Sequence, residues 1–222
     1  MGGVAMATAI DAAERTTGLP LLWATIQYIN GVVLGDDVAI TVTELGGGRS
    51  IRQVQVEMAV GEKTAQIMTA ALGARAGHQD QQFAIMPDAP PPLDCPSRRD
   101  PVFAMDDNLF CKTERRQAAL DQDKGYELSW MRMTSKTPTS ASVLAILSDF
   151  ILGSHDLTMG GTSLDNTLRI ATLKQTDWVL CETRFSAFTN GAAQGVMHMF
   201  AEDGTLLATS SQTGLLPRVP NA

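Results

Sequence analysis

The chain has 222 residues, of which 44% are apolar and 18% are charged, and 24 acids against 17 bases give a net charge of −7. This apolar content excludes a disordered chain, and no apolar run approaches the roughly 20 residues that span a bilayer. The start lacks a signal-peptide pattern, the three cysteines lack metal or disulfide spacing, and the basic residues do not cluster as nucleic-acid binding requires. We therefore expect a globular, cytoplasmic protein that binds neither membranes nor nucleic acid.

The first half of the chain predicts one helix followed by antiparallel strands. Residues 2–16 form a helical run of small residues, and strand patterns follow it. In the strand over residues 53–60, Val54, Val56 and Met58 face one way while polar residues alternate with them. A turn then leads into the next strand, TAQIMTAAL. A helix followed by an antiparallel meander predicts an α+β unit whose sheet buries one face against the helix.

A proline-rich stretch separates this half from the next one. Residues 87–101 contain six prolines, so neither a regular helix nor a central strand fits there. We interpret residues 76–124 as a connector with an extended proline-rich part. Its polar end predicts a short surface helix around TERRQAALDQ, residues 113–122.

The second half repeats the order of elements found in the first, with offsets that drift by only a few residues. A helical run covers residues 140–154, strands follow it, and Asp203-Gly204 is a strong hairpin signal. Another strand, residues 126–133, precedes this helix and has no counterpart in the first half. Either the start is truncated, or that edge of the first sheet is covered in some other way. The agreement in order and spacing favours an internal duplication.

Several segments together resemble the type II acyl-CoA thioesterase family, which is built as a double hot-dog. The resemblance rests on the opening GG with its helix and on LGGGRSIRQVQVEMAVGEKTAQIMTAALG, LAILSDF, TSLDNTL and LLATSSQTGLL. It implies an α+β fold in which two tandem helix-plus-sheet units, residues 1–75 and 125–222, form a pseudo-dimer. It also implies an acyl-CoA substrate whose thioester is hydrolysed to free acid and CoA.

The same resemblance implies an active site in the second unit. The family's aspartate lies in a segment like LAILSDF, its hydroxyl residue two positions before the Asp of a motif like SLDN, and its glutamine in a strand like SSQTGLL. These motifs point to Asp149, Ser163 and Gln212. Ser163 replaces the usual threonine, and Asn166 stands where the family tends to have histidine.

The residue types suit hydrolysis by an activated water. The helix around Asp149 is apolar nearly all round, and desolvation there would raise the carboxyl pKa and make it a better base. The alternative interpretation is an aspartate on the solvent face of the helix. Ser163 and Gln212 would hold the water. Taken separately, each is more often an ordinary strand residue, and the three residues gain weight only together. In the first unit the positions matching these three are Asp11, Thr25 and Ala71, so we expect only one working site.

Other requirements of the substrate and the assembly are less sharply marked. Arg49, Arg52 and Arg169 are candidates to bind the CoA phosphates, although any surface carries such residues. Since no His, Cys and acid residues are spaced for a metal site, we predict neither a metal nor another cofactor. Exposed sheet edges favour a homo-oligomer.

Two other functions stay open at this stage. A catalytically silent hot-dog protein that binds acyl-CoA, or acts as an assembly partner, fits the Asn166 departure and the absent first strand. A hydratase or dehydratase is weaker, because it would need an aspartate–histidine pair and only His155 lies near Asp149 in sequence. Thermal stabilisation by acyl-CoA without thiol release would identify the silent protein.

Overall fold

The computed structural model describes residues 1–98 and 108–218, and a single antiparallel sheet runs through both halves. The first half comprises α1 (Gly2–Thr17), β1 (Leu21–Tyr28), β2 (Val38–Gly47), β3 (Ile51–Val60) and β4 (Lys63–Gly73). The second comprises β5 (Thr113–Asp121), β6 (Tyr126–Met133), α2 (Ala141–Ser148), β7 (Thr162–Ser163), β8 (Asp165–Ile170), β9 (Val179–Thr189), β10 (Ala192–Ala201) and β11 (Leu206–Leu215). The strands follow the order β2-β3-β4-β1-β8-β11-β10-β9-β6-β5, with β7 beside β11. The predicted α+β class is confirmed.

The two halves meet along one strand pair and one helix pair. Strand β1 pairs with β8, where Thr25 lies opposite Thr167 and their hydroxyl oxygens are 2.9 Å apart. The helices α1 and α2 also contact each other, and the Ser142 hydroxyl donates to the Ala7 carbonyl at 3.2 Å. Small residues on the buried face of α1 permit this close approach. One apolar core therefore forms between the helices and the sheet, with buried residues from both halves.

Helix α2 is shorter than the predicted run over residues 140–154. The Ser140 side chain caps its start by accepting from the Val143 N–H, and the helix ends at Ser148. Asp149 follows as the C-cap residue, and its N–H bonds the Ile146 carbonyl. The chain then bends through two short 3-10 turns, Leu152–Ser154 and Asp156–Thr158. Asp149 thus lies at the end of the helix rather than inside it.

The short helix predicted within the connector is wrong, because residues 113–121 form β5 at the edge of the sheet. Glu114 and Arg115 form ion pairs with the neighbouring strand β6, and Arg116 pairs with Glu114 within β5 itself. Glu114 pairs with Arg132 at 2.7 Å, and the buried Arg115 pairs with Glu127 at 3.3 Å. These cross-strand ion pairs stabilise the extended backbone. Pairing with β6 places residues 113–121 in the sheet of the second half.

The proline-rich part of the connector contains one 3-10 turn, Pro92–Asp94, and packs on the outer face of the second half's sheet. The end of the predicted proline-rich stretch, residues 99–101, lies outside the described residues. The Trp130 indole N–H donates to the Pro90 carbonyl at 2.9 Å. A second apolar cluster lies beneath this segment and contains Cys95, Leu128, Trp130, Trp178, Leu180 and Phe200. The connector therefore shields an apolar face that would otherwise be exposed.

The sheet has two edges, at β2 and β5. In the described part of the first half, four strands are present and none corresponds to β6, as the sequence predicted. Association through these edges stays a prediction, as does the division of the chain at residues 75 and 125. Neither helix in the described ranges has the length and apolar character needed to cross a membrane.

Candidate active site

Asp149 lies where the end of α2 meets the start of α1. The Gly3 N–H, in the first turn of α1, donates to the Asp149 Oδ2 atom at 2.8 Å. This contact requires glycine, because a Cβ at residue 3 would lie 2.8 Å from the Asp149 Cβ and 3.0 Å from the Ala145 carbonyl oxygen. The first half thus supplies a backbone donor to the carboxylate of the second half. The alternative of a solvent-facing aspartate is excluded by these contacts.

Gln212 brings the three predicted side chains together. It lies on β11 and is 2% exposed. Its Nε2 atom donates to the Asp149 Oδ1 atom at 2.8 Å and to the Ser163 Oγ atom at 3.0 Å. Its Oε1 atom is buried and has no hydrogen-bond partner among the described residues. One amide therefore joins a carboxylate and a hydroxyl from three separate elements and keeps a free acceptor.

Burial makes the Asp149 carboxylate a stronger proton acceptor. Removal from solvent raises the pKa of Asp149 above its ordinary value, against hydrogen bonds from the Gly3 N–H and the Gln212 amide that lower it. The net direction is upward. A carboxylate in such surroundings is a stronger base than one in water.

A cavity of about 890 Å³ opens beside this carboxylate. Asp149, Phe150 and Ser163 line one side, and the start of α1 lines another. Apolar side chains of the segment after β1 form part of the wall, and Val33 and Leu34 there are largely exposed. The volume falls within the range of ligand pockets. A substrate in this cavity would meet the carboxylate directly.

A second set of hydrogen bonds lies immediately behind the site and was not predicted. The buried Asn166 donates from Nδ2 to the Ser148 Oγ atom at 2.9 Å, and its Oδ1 accepts from the Ser210 hydroxyl at 3.0 Å. Ser148 directly precedes Asp149, and Ser210 lies two residues before Gln212. Asn166 therefore ties α2 and β11 together where they carry the site. The residue that departs from the family pattern is thus hydrogen-bonded to two serines that flank the site.

The positions predicted to match this site in the first half do not assemble a second one. Asp11 lies on the surface of α1 and pairs with Arg15 at 2.7 Å. Thr25 bonds Thr167 across the junction between the halves. Ala71 is buried in β4 and carries no polar group. The presence of only one working site stays a prediction.

The three arginines predicted to bind phosphate do not line the cavity. Arg52 lies in β3 opposite Leu72. Met58, which borders the cavity, lies six residues further along the same strand. Arg49 precedes β3 at that same far end, and Arg169 lies in β8 opposite Trp23. Phosphate binding by these residues stays a prediction.

His155 is held away from Asp149 by its own contacts. Its Nε2 atom lies 2.9 Å from the Gln122 carbonyl oxygen, and its Nδ1 atom accepts from the Leu157 N–H at 3.1 Å. Both ring nitrogens are thus engaged, which removes the support for an aspartate–histidine pair. In the described part of the chain, no group of His, Cys, Asp or Glu is placed to hold a metal ion.

Two further polar side chains in the cavity were missed by the sequence analysis. Tyr28, at the end of β1, lies opposite Gln66 of β4 in the strand register, and both line the cavity. The signal for Gln66 was a polar residue at an inward position in TAQIMTAAL, between Thr64 and Met68. The only sequence signal for Gly3 was that it belongs to the opening pair of glycines.

Comparisons with known proteins agree with this architecture. The family model of the acyl-CoA thioesterase N-terminal domain matches residues 1–76, and that of the C-terminal domain matches residues 87–216. A solved protein of Novosphingobium aromaticivorans DSM 12444, described as a thioesterase, is 32% identical over 98% of this chain and 87% of its own, with a TM-score of 0.91. No curated protein matches the chain.

Two more distant structures share the fold. Acyl-CoA thioesterase II TesB2 of Mycobacterium marinum is 22% identical over 99% of this chain and 90% of its own, with a TM-score of 0.82. A hot dog fold protein of Alicyclobacillus acidocaldarius is 20% identical over 99% and 88% respectively, with a TM-score of 0.86. The fold is thus a double hot-dog, and the chain belongs to the acyl-CoA thioesterase family, whose members hydrolyse acyl-CoA thioesters.

Proposed function

We propose that this protein hydrolyses acyl-CoA thioesters with a water molecule that Asp149 activates and that Ser163 and Gln212 hold in place. The observation that carries the proposal is the Gln212 amide, which donates both to Asp149 at 2.8 Å and to Ser163 at 3.0 Å. This geometry leaves the Gln212 Oε1 atom as an acceptor for one water hydrogen. The other water hydrogen is directed at the carboxylate.

The reaction then proceeds by direct attack. As the water oxygen bonds the thioester carbon, Asp149 takes the proton, and the carbonyl oxygen gains the negative charge. Collapse of the tetrahedral intermediate re-forms the carbonyl and breaks the C–S bond, so the CoA sulfur leaves with the bonding electrons. The proton on Asp149 is available to the departing sulfur, which restores the carboxylate. No covalent enzyme intermediate is needed.

The start of α1 suits the developing oxyanion. The first four N–H groups of a helix lack intrahelical partners and form its positive end. Gly3 uses its N–H on Asp149, whereas Val4 and Ala5 belong to the same turn and line the cavity. We assign stabilisation of the oxyanion to this turn, since preorganised backbone donors are effective where water is excluded.

The test is hydrolysis by the purified protein. Acyl-CoAs of graded chain length are offered, and release of free thiol is followed. We expect activity in the wild type and a loss of about 10²- to 10⁴-fold in Asp149→Asn, which removes the base but keeps the shape. A matched control is Asp11→Asn on the surface of α1, which should leave the rate unchanged. Unchanged activity in Asp149→Asn would overturn the mechanism.

The catalytically silent alternative rested in part on Asn166. Both polar ends of that side chain are hydrogen-bonded to buried serines, and Asn166 does not line the cavity. The Asn166 side chain therefore links Ser148 and Ser210 immediately behind the site. Stabilisation by acyl-CoA in a thermal melt, without thiol release at any chain length, would nevertheless establish the silent protein.

A further inference from the structure

The cavity beside Asp149 contains two buried polar atoms that nothing in the described protein satisfies. The Tyr28 hydroxyl and the Gln66 Oε1 atom both lack a hydrogen-bond partner among the described residues. The two residues face each other across the β1–β4 pair, so their side chains project from the same face of the sheet. Both line the cavity. A single ligand group can therefore contact them together.

The surroundings of Gln66 make its polarity unusual. It is 6% exposed, and it lies opposite Met58 of β3, which is 5% exposed. Its inward neighbour along β4 is the fully buried Met68. A buried amide oxygen without a partner is costly, and an apolar side chain would fit this row better. The site therefore suits a ligand that supplies a donor to Gln66.

The hydrogen-bonding roles at the two positions are complementary. Burial and the nearby carboxylates of Asp149 and Asp165 raise the pKa of Tyr28, so its phenol stays protonated and can donate. The Gln66 oxygen accepts. A small neutral group that accepts one hydrogen bond and donates another satisfies both atoms, and a hydroxyl does so with a single oxygen.

The pair also lies close to the chemistry. A Cβ on Gly2 would be 2.8 Å from the Tyr28 hydroxyl, and the next residue, Gly3, donates to Asp149 at 2.8 Å. Standard backbone dimensions then place the Tyr28 hydroxyl within about 9 Å of the Asp149 carboxylate. A group bound there belongs to the part of the substrate near the thioester.

We propose that Tyr28 and Gln66 bind a hydroxyl group on the acyl chain, so that this protein prefers hydroxyacyl-CoA substrates whose hydroxyl lies near the thioester. The inference rests on the proposed function and narrows its substrate class. The pantetheine amides of CoA offer the same donor and acceptor chemistry. The buried apolar row around Gln66 favours the acyl chain over that polar arm.

The experiment compares a 3-hydroxyacyl-CoA with the unsubstituted acyl-CoA of the same length. Thiol release gives kcat/KM for each, in the wild type and in Gln66→Met, which matches the neighbouring methionines in size. Tyr28→Phe provides a second variant. The control is Gln53→Met, because Gln53 is an exposed residue of β3. An acyl-CoA with its hydroxyl at the far end of the chain tests the position.

We expect the wild type to favour the 3-hydroxyacyl-CoA by about 10- to 100-fold, and Gln66→Met to abolish or reverse that preference. Equal rates on both substrates in the wild type would overturn the inference. Equal slowing on both in Gln66→Met would also overturn it and assign the pair to pantetheine. If no acyl-CoA releases thiol, the proposed function fails. The preference then remains measurable as a ratio of dissociation constants, and equal constants would refute it.

Discussion

Replacing Gln212 with methionine is the sharpest test of the site, because one substitution removes two contacts without removing the base. Methionine is close to glutamine in length and leaves no large cavity, but it offers no N–H group. Asp149 then loses its side-chain donor and keeps the Gly3 N–H. Ser163 loses the amide that orients its hydroxyl.

The expected loss follows from the two hydrogen bonds. A hydrogen bond to a charged group contributes about 1.5–3 kcal/mol, and a neutral one about 0.5–1.5 kcal/mol. Their sum, about 2–4.5 kcal/mol, corresponds to a fall of roughly 30- to 2000-fold in kcat/KM if both contacts serve the transition state. The fall should appear mainly in kcat, since the proposed mechanism places the amide against the water and not against the CoA.

The pH dependence gives an independent readout. The proposed mechanism requires the ionised form of Asp149, so the rate should fall on the acid side as the carboxyl group is protonated. The Gln212 hydrogen bond lowers the pKa of Asp149 in the wild type. Its removal raises that pKa, and the acid limb of the kcat/KM profile should move to higher pH in Gln212→Met.

The assay is steady-state thiol release across a pH series, with a thermal melt to confirm folding. Gln194→Met is the matched control, because Gln194 is an exposed residue on the adjacent strand β10. The control should retain wild-type kinetics. A folded Gln212→Met variant with an unchanged rate, or with an acid limb displaced to lower pH, would refute the role assigned to this amide.

Three further variants probe the same region. The raised pKa of Asp149 means that its ionised form opposes folding, so the stability of wild type relative to Asp149→Asn should fall as the pH rises above about 3.9, as measured by denaturation at several pH values. Gly3→Ala forces α1 away from Asp149 and should lower the melting temperature by roughly 2–12 °C. Gly31→Ala, where a Cβ meets nothing within 4 Å, should not. Asn166→Leu leaves the Ser210 hydroxyl without its acceptor and should cost about 1–3 kcal/mol of unfolding free energy in urea titrations.

The sequence was sufficient for those parts of the molecule whose pattern is local or whose motif is short. Alternation along β3 and the turn at Asp203-Gly204 reflect interactions between near neighbours, and the structure has a strand and a hairpin there. Asp149, Ser163 and Gln212 were predicted from three motifs, and hydrogen bonds join them. The motifs predicted the three residues, whereas only the structure shows that the Gln212 amide bridges Asp149 and Ser163.

What escaped prediction depends on contacts between distant segments. The charges of β5 resembled a surface helix because their partners, such as Arg132 and Glu127, lie on another strand. The Gly3 donor comes from a residue 146 positions away from Asp149. Tyr28 and Gln66 lie opposite each other because of the register between β1 and β4, and no pattern within either segment specifies that register.

The backbone donor that α1 lends to Asp149 has a consequence for how this molecule can evolve. In an assembly of two identical chains, any substitution is repeated at both symmetric positions. Fusion into one polypeptide lifts that restriction, so each half changes on its own. The first half supplies the helix start that donates to the Asp149 carboxylate. Its own matching aspartate, Asp11, lies on the surface, and Ala71 stands where the second half has Gln212. The two halves therefore contribute different groups to one site, and separating them would remove the Gly3 N–H donor from the Asp149 carboxylate.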